Sequence, residues 1–333
     1  MKYRSLGRTG MMVSPLCIGT MNFADATPEE DAREIVRVAH EAGVNFFDTA
    51  GNYNGGESER ALGRAIADLG QRHEFIVATK CHFPIGPGPN DRGNSRLHVI
   101  RACEDALRRL GTDYIDLYQL HRPVFDIPFD ETLGAMDDLV RQGKVRYIGT
   151  STHPAWKVME GLMISDKKNL ARFVSEQPPY NLLDRRVENE LAPLCDAHGI
   201  GIIPYAPMAQ GVLAGRYSSA TNVPADSRAA RKGGLYQGRV NDRGVEVGQK
   251  LAALAGGAGI TPAQLALLWV KDQRAVTAPI FGPRTVGQLR EALPMTEMSL
   301  TSDIRDACDD LVPPGSAVTN FHNGAAWLKQ VLV

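Results

Sequence analysis

The chain has 333 residues, with 37 Lys plus Arg against 38 Asp plus Glu and a net charge of −1. That balance leaves no basic face for nucleic acid or an anionic membrane, and no apolar run approaches the roughly 18 residues of a membrane span. Cys17, Cys81, Cys103, Cys195 and Cys308 are odd in number and lack C-x-x-C spacing, which points to a reducing compartment, the cytoplasm, with neither a disulfide framework nor a cysteine-based zinc site.

The first residues, MKYRSLGRTG, lack the apolar stretch of a signal peptide. With the next few residues they alternate around Gly-Arg-Thr-Gly, as a β-hairpin capping the floor of a barrel would. From there short, β-prone apolar runs alternate with longer amphipathic ones. Strands are expected at Leu16–Thr20, Val44–Asp48, Phe75–Lys80, Tyr114–Leu120, Val145–Ser151, Arg172–Glu176, Gly201–Tyr205 and Val276–Phe281. Between them lie helical patterns such as EEDAREIVRVAHEAG, SRLHVIRACEDALRRLG and PFDETLGAMDDLVRQGK, each closed by a glycine in the place of a C-cap residue.

A spacing of roughly thirty to forty residues between strands is that of repeated β-α units. Eight of them make an α/β fold, a (β/α)8 TIM barrel, here a single domain over residues 1–333. An open doubly wound sheet usually carries G-x-G-x-x-G, which is absent. The gap from Ala206 to Ala275 is about twice the usual length. It contains SSATNVPADSRAARKGGLYQGRVND, which reads as a mobile loop after strand seven. Beyond Ser299 a C-terminal extension holds a short helix and the tail AVTNFHNGAAWLKQVLV.

In such a barrel the C-terminal strand ends converge on one mouth. Asp48 ends strand two with Tyr53 in the loop behind it, Lys80 ends strand three, and His121 closes strand four. Each alone has an ordinary explanation: a helix cap, a rim aromatic, a solvated strand end, a satisfied core histidine. Four at one mouth favour chemistry. A lysine beside a phenol favours phenolate and lowers the phenol pKa from about 10, and the aspartate holds the ammonium in place. Such a phenol can protonate an alkoxide forming on a carbonyl carbon, while a neutral histidine orients the carbonyl oxygen. No side chain delivers hydride, so a nicotinamide cofactor is implied.

With these residues in view, the chain resembles the aldo-keto reductases over essentially its whole length. FFDTAGNY looks like that family's Asp-Thr-Ala-x-x-Tyr segment, GGESERALGRAI looks like the family's next segment, and Lys80 and His121 match the rest of its Asp-Tyr-Lys-His tetrad. The resemblance implies Tyr53 as proton donor, Lys80 and Asp48 as the groups that tune it, and His121 as the residue that orients the substrate. It further implies a cofactor site of Thr20, Met21, Asp48, Ser151, Thr152 (where the family usually has Asn), Gln177 and Tyr205 around the nicotinamide. Ala206, Pro207, Met208, Gly211 and Arg216 fall where the pyrophosphate is approached. PIFGPRTVGQLREAL resembles the adenosine end, with Gly282, Arg284 at the 2′-phosphate and Gln288 at the adenine; Pro283 and Ala292 depart from the pattern. The implied cofactor is NADPH (NADP+), with NADH less favoured. The implied substrate is an aldehyde or ketone against Phe23, Tyr53, His121 and Arg122, within a pocket that also takes in Met21, Asn22, Asn52, His82, Phe83, Tyr180 and Tyr236.

Other readings remain. A Schiff-base aldolase would use Lys80, but only as a neutral amine. A regulatory NADPH-binding subunit, like the channel-associated members of the family, would keep the fold and carry a partner surface around Trp327. No tyrosine precedes a lysine by four residues, as a short-chain dehydrogenase requires, and neither H-E-x-x-H nor a His-x-His on strand one suggests a metal. The expected partner is a small carbonyl compound, not nucleic acid or membrane, and subunit number leaves no mark in the sequence.

Overall fold

The computed structural model describes residues 1–322, so the expectation for Trp327 lies outside the described residues. The chain opens with an antiparallel hairpin of β1 (Arg4–Ser5) and β2 (Met12–Val13). Eight strands come next: β3 (Cys17–Gly19), β4 (Phe46–Asp48), β5 (Ile76–Cys81), β6 (Ile115–Leu120), β7 (Val145–Ser151), β8 (Phe173–Gln177), β9 (Gly201–Ile202) and β10 (Ile280–Phe281). They pair in parallel in the order β10-β3-β4-β5-β6-β7-β8-β9. The ring closes ahead of β10, where the Ile202 N–H donates to Ala275 O (3.2 Å) and the Thr277 N–H donates to Ile202 O (2.8 Å). This is the (β/α)8 architecture that the repeated units imply.

The last two strands are shorter than their apolar runs. Pro204 and Pro279 stand inside those runs, and proline has no N–H to give to a ladder. Strand six runs one residue later than expected, which makes Gln177 its final residue. Six helices lie between β3 and β9: α1 (Glu29–Glu41), α2 (Glu57–Leu69), α3 (Arg96–Leu110), α4 (Phe129–Arg141), α5 (Ala155–Lys168) and α6 (Leu191–His198). Their inward faces place Ile35, Leu62, Val99, Leu133 and Val158 out of solvent altogether. Each such side chain stabilises the fold by about 1.5–3 kcal/mol relative to exposure.

The hairpin plugs the barrel from below. Leu6 and Val13 are fully buried and, with Met11, pack on Cys17, Phe46, Ala78, Leu117 and Ile203 of the inner core. The Arg4 Nη1 ties the plug to the closing segment by donating to the carbonyls of Lys271, Val276 and Thr277 at 2.9, 3.1 and 3.2 Å.

The long gap is only half a loop. It holds two short helices, α7 (Arg228–Lys232) and α8 (Gly234–Gln237), then α9 (Asp242–Gly257) and α10 (Pro262–Lys271). In α9, Val245, Gly248, Leu251 and Ala255 recur at helical spacing and are buried. The start of α10 is a capping box between Thr261 and Gln264, with Pro262 in the first turn. After β10 come α11 (Val286–Ala292) and α12 (Ser302–Leu311). The chain then returns across the β8–α6 loop, where the Val318 N–H donates to Leu183 O (2.9 Å) and the Phe321 N–H to Asp184 Oδ2 (2.7 Å).

Candidate active site

Side chains alternate along a strand, so Phe46 and Asp48, Ala78 and Lys80, Leu117 and Gln119 each share the inner face of the barrel. The apolar member of each pair lies in the inner core, and the polar one faces the mouth. The register carries this layer around the ring, pairing Lys80 with Gln119, Gln119 with Gly149 and Ser151 with Gln177. Gly149 keeps the layer open, since a Cβ there would stand 2.2 Å from Ser175 Oγ.

Lys80 Nζ is the hub. It donates to Asp48 Oδ1 (2.6 Å), to Thr49 O (2.8 Å) and to the phenol oxygen of Tyr53 (3.3 Å). Asp48 Oδ2 accepts from Gln119 Nε2 (3.2 Å) and Gln177 Nε2 (2.9 Å), which completes its shell. The His121 ring meets Tyr53 edge-on at 5.9 Å between centroids and Phe83 at 4.8 Å.

Burial alone would lower the Lys80 pKa, but Asp48 and Tyr53 together outweigh it and leave it raised, so the side chain is an ammonium. Burial raises Tyr53, and the opposing pull of Lys80 does not overcome it. The expectation of a lowered phenol pKa is therefore corrected. The ammonium is shared with Asp48, whose own charge disfavours phenolate. Tyr53 is a neutral phenol with a proton to give. Burial, then the charges of Arg122 and Lys80, push His121 well below its ordinary value, so its imidazole is neutral. Its Nδ1 is buried without a partner among the described residues.

Tyr53 is held by the turn and helix that follow it. It opens a 3-10 turn, Tyr53–Gly56, that leads into α2. Gly56 is left-handed (φ 92°), and a Cβ there would lie 2.6 Å from Arg109 Cδ. The buried Ser58 hydroxyl joins Thr20 O (2.7 Å), Thr20 Oγ1 (2.7 Å) and Thr49 Oγ1 (3.1 Å). Glu59, also buried, accepts from Thr79 Oγ1 and Arg109 Nε, each at 2.5 Å. Sequence reasoning assigned nothing to Ser58, Glu59 or Gln119. The signal for all three is polarity at positions that the helix and strand periods turn inward, and Ser58 and Glu59 also lie in the family-like segment GGESERALGRAI.

The Thr20 hydroxyl is engaged by Ser58 and Asp48 O, and its side chain is fully buried. Two expectations are corrected here. Phe23 is fully buried in the outer core and does not line the substrate mouth; its burial follows from a tight turn in which Phe23 bridges Thr27. Tyr180 is likewise buried, donating to Glu188 Oε1 (2.7 Å) against Trp269. Met21 stays partly open, with its carbonyl accepting from Asn54 Nδ2 (3.3 Å).

The second half of the site lies at the later strand ends. The Ser151 hydroxyl donates to Gln177 O (2.9 Å). Thr152 is left-handed (φ 56°), a conformation that Asn tolerates and a β-branched residue avoids. Tyr205 is half-buried over the inner core. Behind it Ala206, Ala209, Gln210 and Gly211 all have positive φ and kink the loop through Pro207 and Met208 back over the mouth. Arg216 and Arg284, 68 residues apart in number, meet on one carboxylate. Arg216 Nη2 lies 2.6 and 2.7 Å from the two Asp226 oxygens, and Arg284 Nη2 lies 3.0 Å from Oδ2. Gln288 Oε1 accepts from the Arg284 N–H (2.8 Å), and Asn22 Nδ2 donates to Gly282 O (3.0 Å). The loop is further pinned to the β3–α1 segment by Arg231 (3.0 Å) and Lys232 (2.9 Å) on Asp25.

Residues 15–313 match the Aldo/keto reductase family model. The chain belongs to the aldo-keto reductase family. It is 39% identical to the uncharacterized oxidoreductase YrpG of Bacillus subtilis (strain 168), over 95% of this chain and 97% of that one. It is 34% identical to a probable voltage-gated potassium channel subunit beta of Oryza sativa subsp. japonica, over 94% and 97%. A third relative, at 32% over 94% and 91%, is an aldo-keto reductase of Fusarium vanettenii. This aldo-keto reductase is accordingly an NAD(P)H-dependent oxidoreductase. Its barrel brings Asp48, Tyr53, Lys80 and His121 to one mouth, with Ser151, Gln177 and Tyr205 on the same rim. Among the described residues no single helix is long and apolar enough to cross a membrane.

Proposed function

We propose that the protein is an NADPH-dependent reductase of aldehydes or ketones, with Tyr53 as the general acid. One observation carries this reading: Lys80 Nζ donates to the phenol oxygen of Tyr53 at 3.3 Å. The phenol's own proton then points away from the ion pair, free for a substrate oxygen. General acid catalysis of this kind contributes about a hundred- to ten-thousandfold in rate. Lys80 stabilises the charge left on Tyr53, Asp48 keeps Lys80 ionised and placed, and the neutral His121 orients the carbonyl.

The residues present suit a nicotinamide cofactor. Gln177 gives both its amide protons to Asp48 and Gln119 Oε1 (2.9 and 3.3 Å), which leaves its carbonyl to accept from a carboxamide beside Ser151 and Thr152. Tyr205 offers a ring face, the kinked loop of Ala206, Pro207, Met208 and Gly211 with Met21 opposite offers backbone, and Arg216, Gly282, Arg284 and Gln288 offer the phosphate end. When bound, the cofactor supplies the hydride that adds to the carbonyl carbon. Arg284 supports NADPH over NADH, because only the former carries a 2′-phosphate for a guanidinium fork. Five free, buried cysteines support a cytoplasmic setting, and one barrel with a single mouth supports a single-domain enzyme.

A panel of carbonyl compounds, followed by NADPH absorbance, tests the proposal. The Oryza sativa relative named as a probable channel subunit favours one other reading, a cofactor-binding regulatory subunit. NADPH binding with no turnover across the panel would decide for it. A borohydride-trapped adduct on Lys80 would instead move the protein to the Schiff-base class, an outcome that a charged Lys80 argues against.

A further inference from the structure

The basic side chains around the mouth fall into two sets. Arg216, Arg284, Arg231 and Lys232 each have a carboxylate within 3.0 Å. Arg122, Arg228 and Arg239 have none among the described residues, and the eleven residues from Asn323 to Val333 contain no Asp or Glu side chain; Arg228 instead donates to Asn22 Oδ1 (3.2 Å), whose amide holds Gly282 O. Arg122 follows His121 directly. Its Nη1 donates to His121 O (2.6 Å) and Thr152 Oγ1 (3.4 Å), and its guanidinium lies over Phe83 at 5.6 Å, the ring that packs on His121. Its Nε and Nη2 make no hydrogen bond among the described residues.

Arg239 comes from the loop side and is only 9% exposed. Its Nη2 donates to Phe321 O (3.1 Å), its plane covers the Phe321 ring at 4.8 Å, and Nη1 reaches the Gln210 amide oxygen (3.1 Å) when that amide is turned to accept. Its Nε is buried with no partner among the described residues. Burial pulls its pKa down; Tyr205 and Tyr236 oppose that, whereas Arg122 adds to it. Both guanidinium charges act on the phenol of Tyr205, and that of Arg122 reaches Tyr53 as well. Asp184, whose field also reaches Arg239, is committed to Arg186 (2.6 Å) and His322 (3.2 Å).

The charge of Arg122 disfavours that of Arg239, and neither has a carboxylate partner among the described residues, so both favour an anion that arrives at the mouth. Propping the His121 and Thr152 oxygens uses one of the three nitrogens of Arg122, and the contacts of Arg239 with Phe321 and Gln210 leave its Nε without a partner among the described residues. We propose that the carbonyl substrate carries an anionic group, a carboxylate or a phosphate, which Arg122 and Arg239 receive at the mouth while its carbonyl lies against Tyr53 and His121. This rests on the reductase reading above. In the reading above the cofactor phosphates have other basic partners, Arg216 and Arg284 gathered on Asp226 and Arg228 beside Asn22.

The test compares kcat/KM of the NADPH-loaded protein within two matched pairs: butanal against succinic semialdehyde, and glyceraldehyde against glyceraldehyde 3-phosphate. The anionic member of at least one pair should be favoured by about ten- to a hundredfold, as charge-assisted hydrogen bonds would give. Which pair shows it separates carboxylate from phosphate. The preference should fall with added salt, shrink toward unity in Arg122→Gln and survive in part in Arg122→Lys. Equal use of the neutral members, or a ratio unmoved by Arg122→Gln, overturns the inference. If none of the four is reduced, the reductase reading fails. Calorimetry of 4-hydroxybutyrate and 1-butanol on the NADP+ complex then still decides: binding of the acid alone, lost in Arg122→Gln, supports the anion site, and no binding of the acid removes it.

Discussion

The centre around Lys80 and the loop end around Asp226 are both built on charge, but in opposite ways. At the centre, the side chains of Lys80 and Asp48 are 0% and 3% exposed, and every partner comes from the barrel strands or the turn just behind them. At the loop end Asp226 is 60% exposed, and long arginines reach it from two separate segments. Exposed pairs of that kind contribute only about 0–1 kcal/mol each, whereas breaking a buried pair by removing one partner costs about 3–5 kcal/mol. On the proposed reading the chemistry is preorganised in the rigid half, while the phosphate end is held by bonds that an incoming phosphate would replace. Position would then be fixed where a proton moves, and exchange kept where a large cofactor enters.

The sharpest test of the rigid half is Tyr53→Phe. It removes the proton but not the ring, so turnover should fall about a hundred- to ten-thousandfold while the dissociation constant for NADPH stays put. A variant that keeps most of its rate takes Tyr53 out of the mechanism and leaves the centre as mere packing. At the loop end, Arg284→Ala should weaken NADPH by about ten- to a hundredfold, the worth of a charge-assisted bond, with NADH barely affected. Equal weakening of both would mean that Arg284 props the loop. A smaller effect separates the halves dynamically. Amide exchange over residues 218–242 should slow when NADPH is added, whereas β4 to β6 should already be protected without it. Identical exchange in the loop with and without cofactor would make it a passive surface.

The smallest effect concerns Glu176, one residue before Gln177 on β8. Burial pushes its carboxyl up to about 8, against weaker pulls from the Thr150 hydroxyl and the N–H groups of His153 and Thr152. The folded chain therefore keeps a proton that the unfolded chain releases near the ordinary carboxylate value. Its contribution to stability is full below that value and lost as pH rises through about 8. Glu176→Gln should flatten the decline in Tm between pH 6 and pH 9 by roughly a few degrees. An unchanged profile would show that the carboxyl is not protonated in the folded state.

The rigid half was also the legible half. Asp48, Lys80 and His121 stand at strand ends, and a period of two with a barrel closure sends them to one mouth without further information. The shortening of β9 and β10 could have been foreseen from Pro204 and Pro279. So could α9 and α10 inside the long gap, from the spacing of Val245, Gly248, Leu251 and Ala255 and from Thr261 three residues before Gln264. What stayed hidden depends on three-dimensional coincidence. Nothing local says that Glu59 will meet Thr79 and Arg109, that Phe23 will turn into the core, or that one carboxylate in a polar loop will draw Arg216 and Arg284 together. The phenol of Tyr53 illustrates the same limit, because the balance between burial and Lys80 depends on how far Asp48 shares the ammonium.

The plug beneath the barrel imposes an order on biosynthesis. Arg4 bonds to Thr277 across 273 positions of sequence, and the apolar side of the hairpin (Leu6, Met11, Val13) is covered only by a closed ring. A ribosome adding about 5–20 residues per second needs roughly 14 to 55 seconds to span that distance. Throughout that time this hydrophobic segment has no native partner for its closing contacts. Nascent chains stalled with residues 275–281 still inside the exit tunnel should be cut by protease within residues 6–13, and chains stalled later should resist. Equal resistance at both lengths would mean that the hairpin docks before the ring is closed.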